Sequence, residues 1–300
     1  MRIAVSGLGR MGMQITRKLA ESGLEVVAHN RSRDPVDMAV SYGAVAAYAK
    51  EDVVASFDDE PLFLWLMVPS DVVESELEAW LGVLPAGSTV IDGGNSDYRQ
   101  TRQRAAMLAS RGFRTLDSGT SGGVWGYENG FSMMIGGDYP AYSELEEVFK
   151  TLSLPSGGYK YFGESGSGHY VKMVHNAIEY GMMESLAEGY RMLREGPYND
   201  LDLAAAGEVW QRGSVVQSWL NELTRQALTE NPQLDGIDGY VAESGEARWT
   251  IETAKDLGIP LPAIEAAFDV RLASQQGETN FATQLLSAMR NKFGGHDLNK

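Results

Sequence analysis

The 300-residue sequence predicts a doubly wound parallel α/β sheet followed by an all-α C-terminal domain. Three observations carry that expectation. Short β-branched runs alternate with helical stretches through the first half, a glycine-rich segment interrupts them, and nearly everything beyond it has helical periodicity. The length is about twice that of a common domain, so two domains are expected, 1–165 and 166–300.

Residues 2–6 read as the first strand and 11–21 as the helix behind it. A second strand is expected at 24–29, a nearly all-apolar third at 62–68 and a fourth at 88–92, with weaker candidates at 113–117 and 131–135. The stretch 157–168 holds five glycines and marks the change of character. Helices are then expected at 169–195, roughly 201–228, 244–257, 261–275 and near 279–292. Gly196-Pro197, Asn231-Pro232 and Gly258-Ile259-Pro260 break them apart.

With 43% hydrophobic and 22% charged residues, the composition is that of an ordinary globular chain. A net charge of −16 argues against nucleic-acid or anionic-membrane partners, which need a basic footprint. An anionic substrate would then require basic residues gathered locally. The absence of cysteine excludes disulfides, thiolate catalysis and Cys-ligated metals. Met1 to Val5 runs straight into Gly7 with no apolar targeting region, and no apolar run approaches the ~20 residues of a membrane span. A cytoplasmic location is expected.

Gly7-Leu8-Gly9-Arg10-Met11-Gly12 leaves the first strand and opens the first helix. In that setting Gly7 permits the tight turn, Gly9 lets the backbone approach a pyrophosphate, and Gly12 lets helix and strand pack closely. The helix N-terminus adds N–H groups and partial positive charge. The first domain is therefore expected to be Rossmann-like and to bind a dinucleotide. At the end of the second strand, Asn30 stands where NAD sites usually place a carboxylate, with Arg31, Ser32 and Arg33 behind it. A carboxylate would repel a ribose 2′-phosphate, whereas Arg31 can fork onto one. NADP is the expected cofactor, with NAD as the alternative.

Ser118-Gly119-Thr120-Ser121-Gly122-Gly123-Val124-Trp125-Gly126 reads equally as an anion-cradling loop and as a plain glycine loop. In Asp92-Gly93-Gly94-Asn95-Ser96, Asn95 is either a sugar-hydroxyl contact or a cap for the helix beginning near Tyr98. At 100° per residue, Lys172, Asn176 and Glu179 fall within ~60° of one another on a helix, with His175 at the edge of the stripe. Val171, Val174, Ile178 and Met182 occupy the opposite side, so that side is expected to be buried. The polar stripe is a solvated face or a catalytic one. It follows the glycine-rich boundary, where a cleft is expected. Arg248, Arg271 and Arg290 with His296, taken singly, read as surface groups.

Together these segments resemble the 6-phosphogluconate dehydrogenase family, in its short bacterial branch, and the resemblance runs essentially end to end. It rests on GLGRMG at 7–12, NRS at 30–32, IDGGNSDYR at 91–99, SGTSGGVWG at 118–126, HYVKMVHNAIEYG at 169–181, GEARWT at 245–250 and RNKFGGH at 290–296. The resemblance implies oxidative decarboxylation of 6-phospho-D-gluconate to D-ribulose 5-phosphate and CO₂ with reduction of NAD(P), a step of the pentose phosphate pathway. It makes Lys172 the general base and acid, and Glu179 the second acid. Asn95, Ser121, Gly122, Gly123, His175 and Asn176 become sugar and carboxylate contacts, and Tyr180, Arg248 and Arg271 the phosphate set. Arg10, Met11, Ser32, Val68 and Asn95 join the cofactor contacts. Arg290 and His296 match a C-terminal pair that reaches a neighbouring subunit, which implies a homodimer or homotetramer. No metal is expected, because a β-keto group serves as the electron sink. Long members carry lysine where this chain has Arg248. The nearest rival is another β-hydroxyacid dehydrogenase, whose unphosphorylated substrate would not need these cations.

Overall fold

A computed structural model describes residues 1–198 and 200–298, which divide into two compact units, Met1–Met173 and Val174–Lys300. The first unit alternates strand and helix: β1 (Arg2–Ser6), α1 (Arg10–Glu21), β2 (Glu25–His29), α2 (Arg33–Ser41), β3 (Val45–Ala47), α3 (Lys50–Ala55), β4 (Phe63–Leu66), α4 (Val73–Leu81), β5 (Thr89–Asp92), α5 (Tyr98–Ser110) and β6 (Arg114–Ser121). A 3-10 turn at Gly123–Trp125 leads to α6 (Gly126–Asn129), β7 (Ser132–Gly137), α7 (Tyr139–Glu144), α8 (Glu146–Leu152) and β8 (Tyr159–Gly163).

These strands form one sheet in the order β3-β2-β1-β4-β5-β6-β7-β8. Successive residues of the central strands point to opposite faces, and both faces are covered. Ile3, Val5, Trp65 and Ile91 enter one core, while Ala4, Leu64, Leu66 and Val90 enter the other. All pairings are parallel except β6 with β7. The link from Ser121 to Ser132 is too short for a crossover, which needs a dozen or more residues, so the chain returns antiparallel. Chain order reverses about β1, flanked by β2 and β4, and a doubly wound sheet binds ligands at the carboxyl ends of the strands where this happens.

α9 (Ser167–Glu195) starts in the first unit and runs on into the second, which continues with α10 (Leu203–Trp210), α11 (Trp219–Glu230), α12 (Glu246–Leu257), α13 (Pro262–Gln275) and α14 (Phe281–Gly294). Met183, Ala187 and Tyr190 of α9 pack with Leu285, Leu286 and Met289 of α14 in the larger core of this unit. No helix among the described residues is long and apolar enough to cross a membrane.

The structure both departs from the sequence expectation and decides a reading it left open. β3 and β8 were not expected; β3 has three residues, too few for a periodic signal, and β8 lies inside the glycine-rich stretch. The single helix expected at 201–228 is two, because Gly213 takes a φ of +87° and Ser218 caps the second. Of the two readings left open for Asn95, the cap is excluded, since Asp97 caps α5 by accepting from the Arg99 N–H at 2.8 Å. The last correction concerns α9. The side carrying Val171, Val174, Ile178 and Met182 is not the buried one: Ile178 and Met182 are 50% and 45% exposed, whereas Lys172 is 5% exposed. Met173, Ala177, Tyr180, Met183, Ala187 and Tyr190 form a second apolar stripe on the same side as Lys172, and this stripe enters the cores.

Candidate active site

In the first unit, β1 delivers the chain to Gly7 at a φ of +98°, and a Cβ there would sit 2.4 Å from the Met67 carbonyl oxygen. A Cβ on Gly12 would lie 1.9 Å from the Gly7 carbonyl oxygen, so the helix can pack this closely only with glycine. Gly9 differs, since a Cβ there would meet nothing within 4 Å. Gly9, the N-cap of α1, makes no side-chain cap, and no acidic residue occupies the first turn of that helix. These features fit a dinucleotide pyrophosphate. Val68 packs beside Gly7, and Met11 against the core below.

Asn30, at the end of β2, accepts from the Leu8 N–H at 3.0 Å and donates to Ser32 Oγ at 2.9 Å, tying the glycine loop to the second strand. Arg31 is exposed and has no hydrogen bond or ion pair among the described residues. Arg33 is engaged instead, its guanidinium 4.4 Å from the Tyr48 ring centroid.

At the end of β5, Asp92 accepts from the Gly94 N–H at 3.2 Å and from Ser96 Oγ at 2.8 Å, which folds the loop and leaves the exposed Asn95 without a hydrogen bond among the described residues. Ser121 closes β6. Gly122 and Gly123 follow at φ values of +143° and +54°, so the backbone turns there as a side-chain-bearing residue would resist.

Midway along β6, the fully buried Asp117 accepts from the Gly166 N–H at 2.7 Å and the His169 N–H at 2.9 Å, so a carboxylate anchors the start of α9. His169 Nδ1 is 2.8 Å from Thr101 Oγ1, a second tie from α5. One turn further on, Lys172 passes over Gly119, where a Cβ would lie 2.3 Å from the Lys172 Cβ.

In the second unit, α9 brings four of the expected residues together. His175 Nδ1 lies 2.9 Å from Asn176 Oδ1, and Asn176 Nδ2 donates to Glu246 Oε1 at 2.8 Å. The hydroxyl of the buried Tyr180 accepts from the Ser244 N–H at 3.2 Å. The Arg271 guanidinium stacks on the Tyr180 ring and reaches the Ala242 carbonyl at 3.5 Å. Taken singly, Arg271 and Arg290 read as surface groups, yet they are 2% and 8% exposed. Burial pushes the Arg271 guanidinium down to about 10 and lowers Arg290 as well. Among the described residues, no carboxylate is within ion-pair distance of either cation; Glu179 acts on both only through its field. Arg290 also feels Tyr180 of its own chain, where the resemblance implied a residue reaching a neighbouring subunit.

Two further expected residues are nearer the surface. Arg248 is exposed, with Nη2 held at 2.8 Å by Glu243 Oε1. His296 is half-buried, edge-on to the Phe293 ring. Sequence reasoning missed Asp117, Gly119, Ser244 and Glu246. Gly119 and Glu246 lie inside motifs it quoted, but a glutamate at the start of a helix reads as a dipole charge, and burial cannot be read from spacing.

A sheet with a glycine-loop dinucleotide cradle, followed by an all-helical unit, is the architecture of a Rossmann-like dinucleotide-binding protein. Residues 2–161 match the family described as the NAD binding domain of 6-phosphogluconate dehydrogenase, and residues 168–296 match the C-terminal domain of the same enzyme. The chain belongs to the 6-phosphogluconate dehydrogenase family. A Haloferax volcanii relative named as an NAD(+)-dependent, decarboxylating 6-phosphogluconate dehydrogenase is 38% identical over 300 residues, 99% of this chain and 98% of its own. The Plasmodium falciparum 6-phosphogluconate dehydrogenase structure superposes with a TM-score of 0.84 at 28% identity, covering 93% of this chain and 63% of that one. Mycobacterium tuberculosis 3-hydroxyisobutyrate dehydrogenase shares the fold at 20% identity and a TM-score of 0.73, over 95% of this chain and 97% of that one.

Proposed function

We propose that this chain oxidises and decarboxylates 6-phospho-D-gluconate to D-ribulose 5-phosphate and CO₂, using NADP in preference to NAD. The observation that carries the substrate class is the buried Arg271 and Arg290, cations with no carboxylate partner among the described residues in a chain of net charge −16. A buried guanidinium without a counter-ion is costly, and phosphate is the anion whose geometry its fork matches. The unphosphorylated substrate of a hydroxyisobutyrate dehydrogenase would leave both cations uncompensated.

In this reading Tyr180, Arg271 and Arg290 hold the phosphate, with Arg248 and His296 at its edge. Asn95, Ser121, Gly122, Gly123, His175 and Asn176 hold the carboxylate and hydroxyls. A bound nicotinamide would supply the acceptor for the hydride of C3. Lys172, which is buried, takes the proton of the C3 hydroxyl, a step that requires the neutral amine. The resulting β-keto acid loses its carboxylate as CO₂, and the electrons of the broken bond pass into an enediol. Protonated Lys172 supports that oxygen through a hydrogen bond. Glu179 then protonates the carbon that becomes C1 of the pentulose.

The 2′-phosphate preference is supported by Asn30 in place of a carboxylate and by the exposed, uncommitted Arg31. NAD is the second reading, favoured by the name of the Haloferax relative. A homodimer, or a homotetramer built on it, would cover the exposed Ile178, Met182 and Met192 along α9. The test is an assay of 6-phosphogluconate, gluconate and hydroxyisobutyrate with each cofactor, following both reduced nicotinamide and CO₂. Comparable turnover of an unphosphorylated acid, or reduction without CO₂, overturns the reading.

A further inference from the structure

The scheme above leaves one stripe of α1 unused. Gln14, Arg17, Lys18 and Glu21 stand three and four residues apart on one face, and all four meet the segment from Gly123 to Tyr127. Gln14 Oε1 accepts from the Tyr127 N–H at 2.9 Å, and Lys18 Nζ donates to the Tyr127 carbonyl at 2.8 Å. Both main-chain groups of one residue are thus held by side chains that lie 113 and 109 residues earlier in the chain. Gln14 Nε2 also approaches the Gly123 carbonyl at 3.5 Å. The Arg17 guanidinium lies 4.1 Å from the Tyr127 ring centroid, and the ring's hydroxyl donates to Glu21.

Tyr127 is the second residue of α6, a position whose N–H finds no acceptor inside its own helix. The residue before that helix, Trp125, makes no side-chain cap, so Gln14 supplies an acceptor from outside. Lys18 is half-buried with no carboxylate within ion-pair distance among the described residues, and its ammonium is directed at a carbonyl. A lysine serving only solubility keeps its charged head in water. The two elements so joined lie in the first unit and both belong to the proposed chemistry. α1 begins at the Gly7–Gly12 cradle, and Tyr127 comes four residues after Gly123, the end of the turn assigned to the substrate. Phe131 walls that turn elsewhere, since a Cβ on Gly122 or Gly126 would lie 3.0 or 2.0 Å from its ring.

We infer that Gln14 and Lys18 are positioning residues, which clamp the main chain of Tyr127 and so fix the Ser121–Gly123 turn against the dinucleotide helix. What the turn contacts rests on the sugar-acid reading above. Gln14→Met and Lys18→Met keep the side-chain stems and remove the polar ends. Each is expected to lower kcat/KM for 6-phosphogluconate about 2- to 10-fold, as loss of one ordinary hydrogen bond does, with the dissociation constant of the dinucleotide unchanged. Gln14→Glu keeps an oxygen acceptor and Lys18→Arg a cationic donor, so both are expected to restore most of the loss. A role in stability alone would lower Tm and leave kcat/KM at its wild-type value. In the substrate-free protein, amide exchange at Tyr127 is expected to be faster in Gln14→Met and to stay at the wild-type rate in Gln14→Glu. Wild-type kcat/KM in the folded methionine variants, a parallel loss of dinucleotide affinity, or unaltered Tyr127 exchange in Gln14→Met overturns the inference. Failure of wild type to turn over 6-phosphogluconate defeats the functional reading instead, and the Tyr127 exchange still decides the clamp.

Discussion

The Arg271 guanidinium lies 3.2 Å from the centroid of the Tyr180 ring, with both residues buried. The ring face offsets part of the cost of burying the cation, yet among the described residues no carboxylate completes the neutralisation. In the proposed function the balancing anion is the phosphate that arrives with the substrate. Arg271→Ala is expected to raise KM for the phosphorylated substrate about 100-fold while kcat changes little, because the lost contact is common to ground and transition states. Arg271→Lys recovers only a small part, since an ammonium cannot fork. Arg271→Met is expected to leave the ligand-free Tm unchanged or raised, and to abolish the Tm increase that the wild type shows with added 6-phosphogluconate. An unchanged KM in Arg271→Ala would remove the residue from the phosphate site.

Glu184 follows on the same helix, and burial lifts its carboxyl from 4.5 to about 7, with Glu188 reinforcing the shift and Arg271 opposing it. The folded protein thus binds this proton more tightly than the unfolded chain does. The associated stabilisation is complete below about pH 4.5 and is lost as pH rises through about 7. Replacing the carboxyl with an amide removes the titration. Thermal denaturation of wild type and Glu184→Gln across that window is expected to show the wild type losing Tm relative to the variant as pH increases. A constant difference would mean that Glu184 titrates alike in both states.

Much of the fold was legible because the signals are local. A β-branched run ending in GLGRMG states strand, turn and helix within twelve residues, and the structure has β1, Gly7 and α1 in those places. The DGGNS and SGG segments fall at strand ends for the same reason. Burial was less legible. α9 is apolar on two sides, so periodicity cannot say which one is covered, and the choice of Ile178 and Met182 over Met173 and Tyr180 went the wrong way. Arg271 and Arg290 show the limit most clearly. A lone arginine in a helix is statistically a surface residue. That both are enclosed beside Tyr180 depends on contacts between α9, α13 and α14, which spacing along the chain does not encode.

The three loop glycines separate folding from binding. Gly12→Ala places a methyl 1.9 Å from the Gly7 carbonyl oxygen, so the turn must open, and Tm is expected to fall together with cofactor affinity. A methyl on Gly9 meets no protein atom within 4 Å, so Gly9→Ala is expected to keep the wild-type Tm. Its effect should be confined to a higher KM for the dinucleotide, whose pyrophosphate must approach that backbone. Paired calorimetry and cofactor titration of the two variants check this. Equal loss of Tm in both, or an unaffected cofactor KM in Gly9→Ala, would contradict the proposed cradle.

Gly119 offers a way to disturb catalysis without touching a reactive group. A methyl there would lie 2.3 Å from the Lys172 Cβ and 3.0 Å from the Gly168 carbonyl oxygen, so the lysine stem must shift. A displacement near 1 Å at a reacting group costs on the order of 100-fold in rate. Lys172→Met, which removes the proposed base and acid outright, is expected to lower kcat by about 10³ or more, because in that proposal one amine serves two steps. Gly119→Ala is expected to lower kcat by about 10- to 100-fold, with the cofactor KM nearly unchanged. If the glycine acts through the lysine, the double variant loses no more kcat than Lys172→Met alone, since residues acting as one unit are not additive. Additive losses in the double variant would mean that Gly119 affects turnover by some other route, and near-normal kcat in a folded Lys172→Met protein would end the assignment of Lys172 as the base.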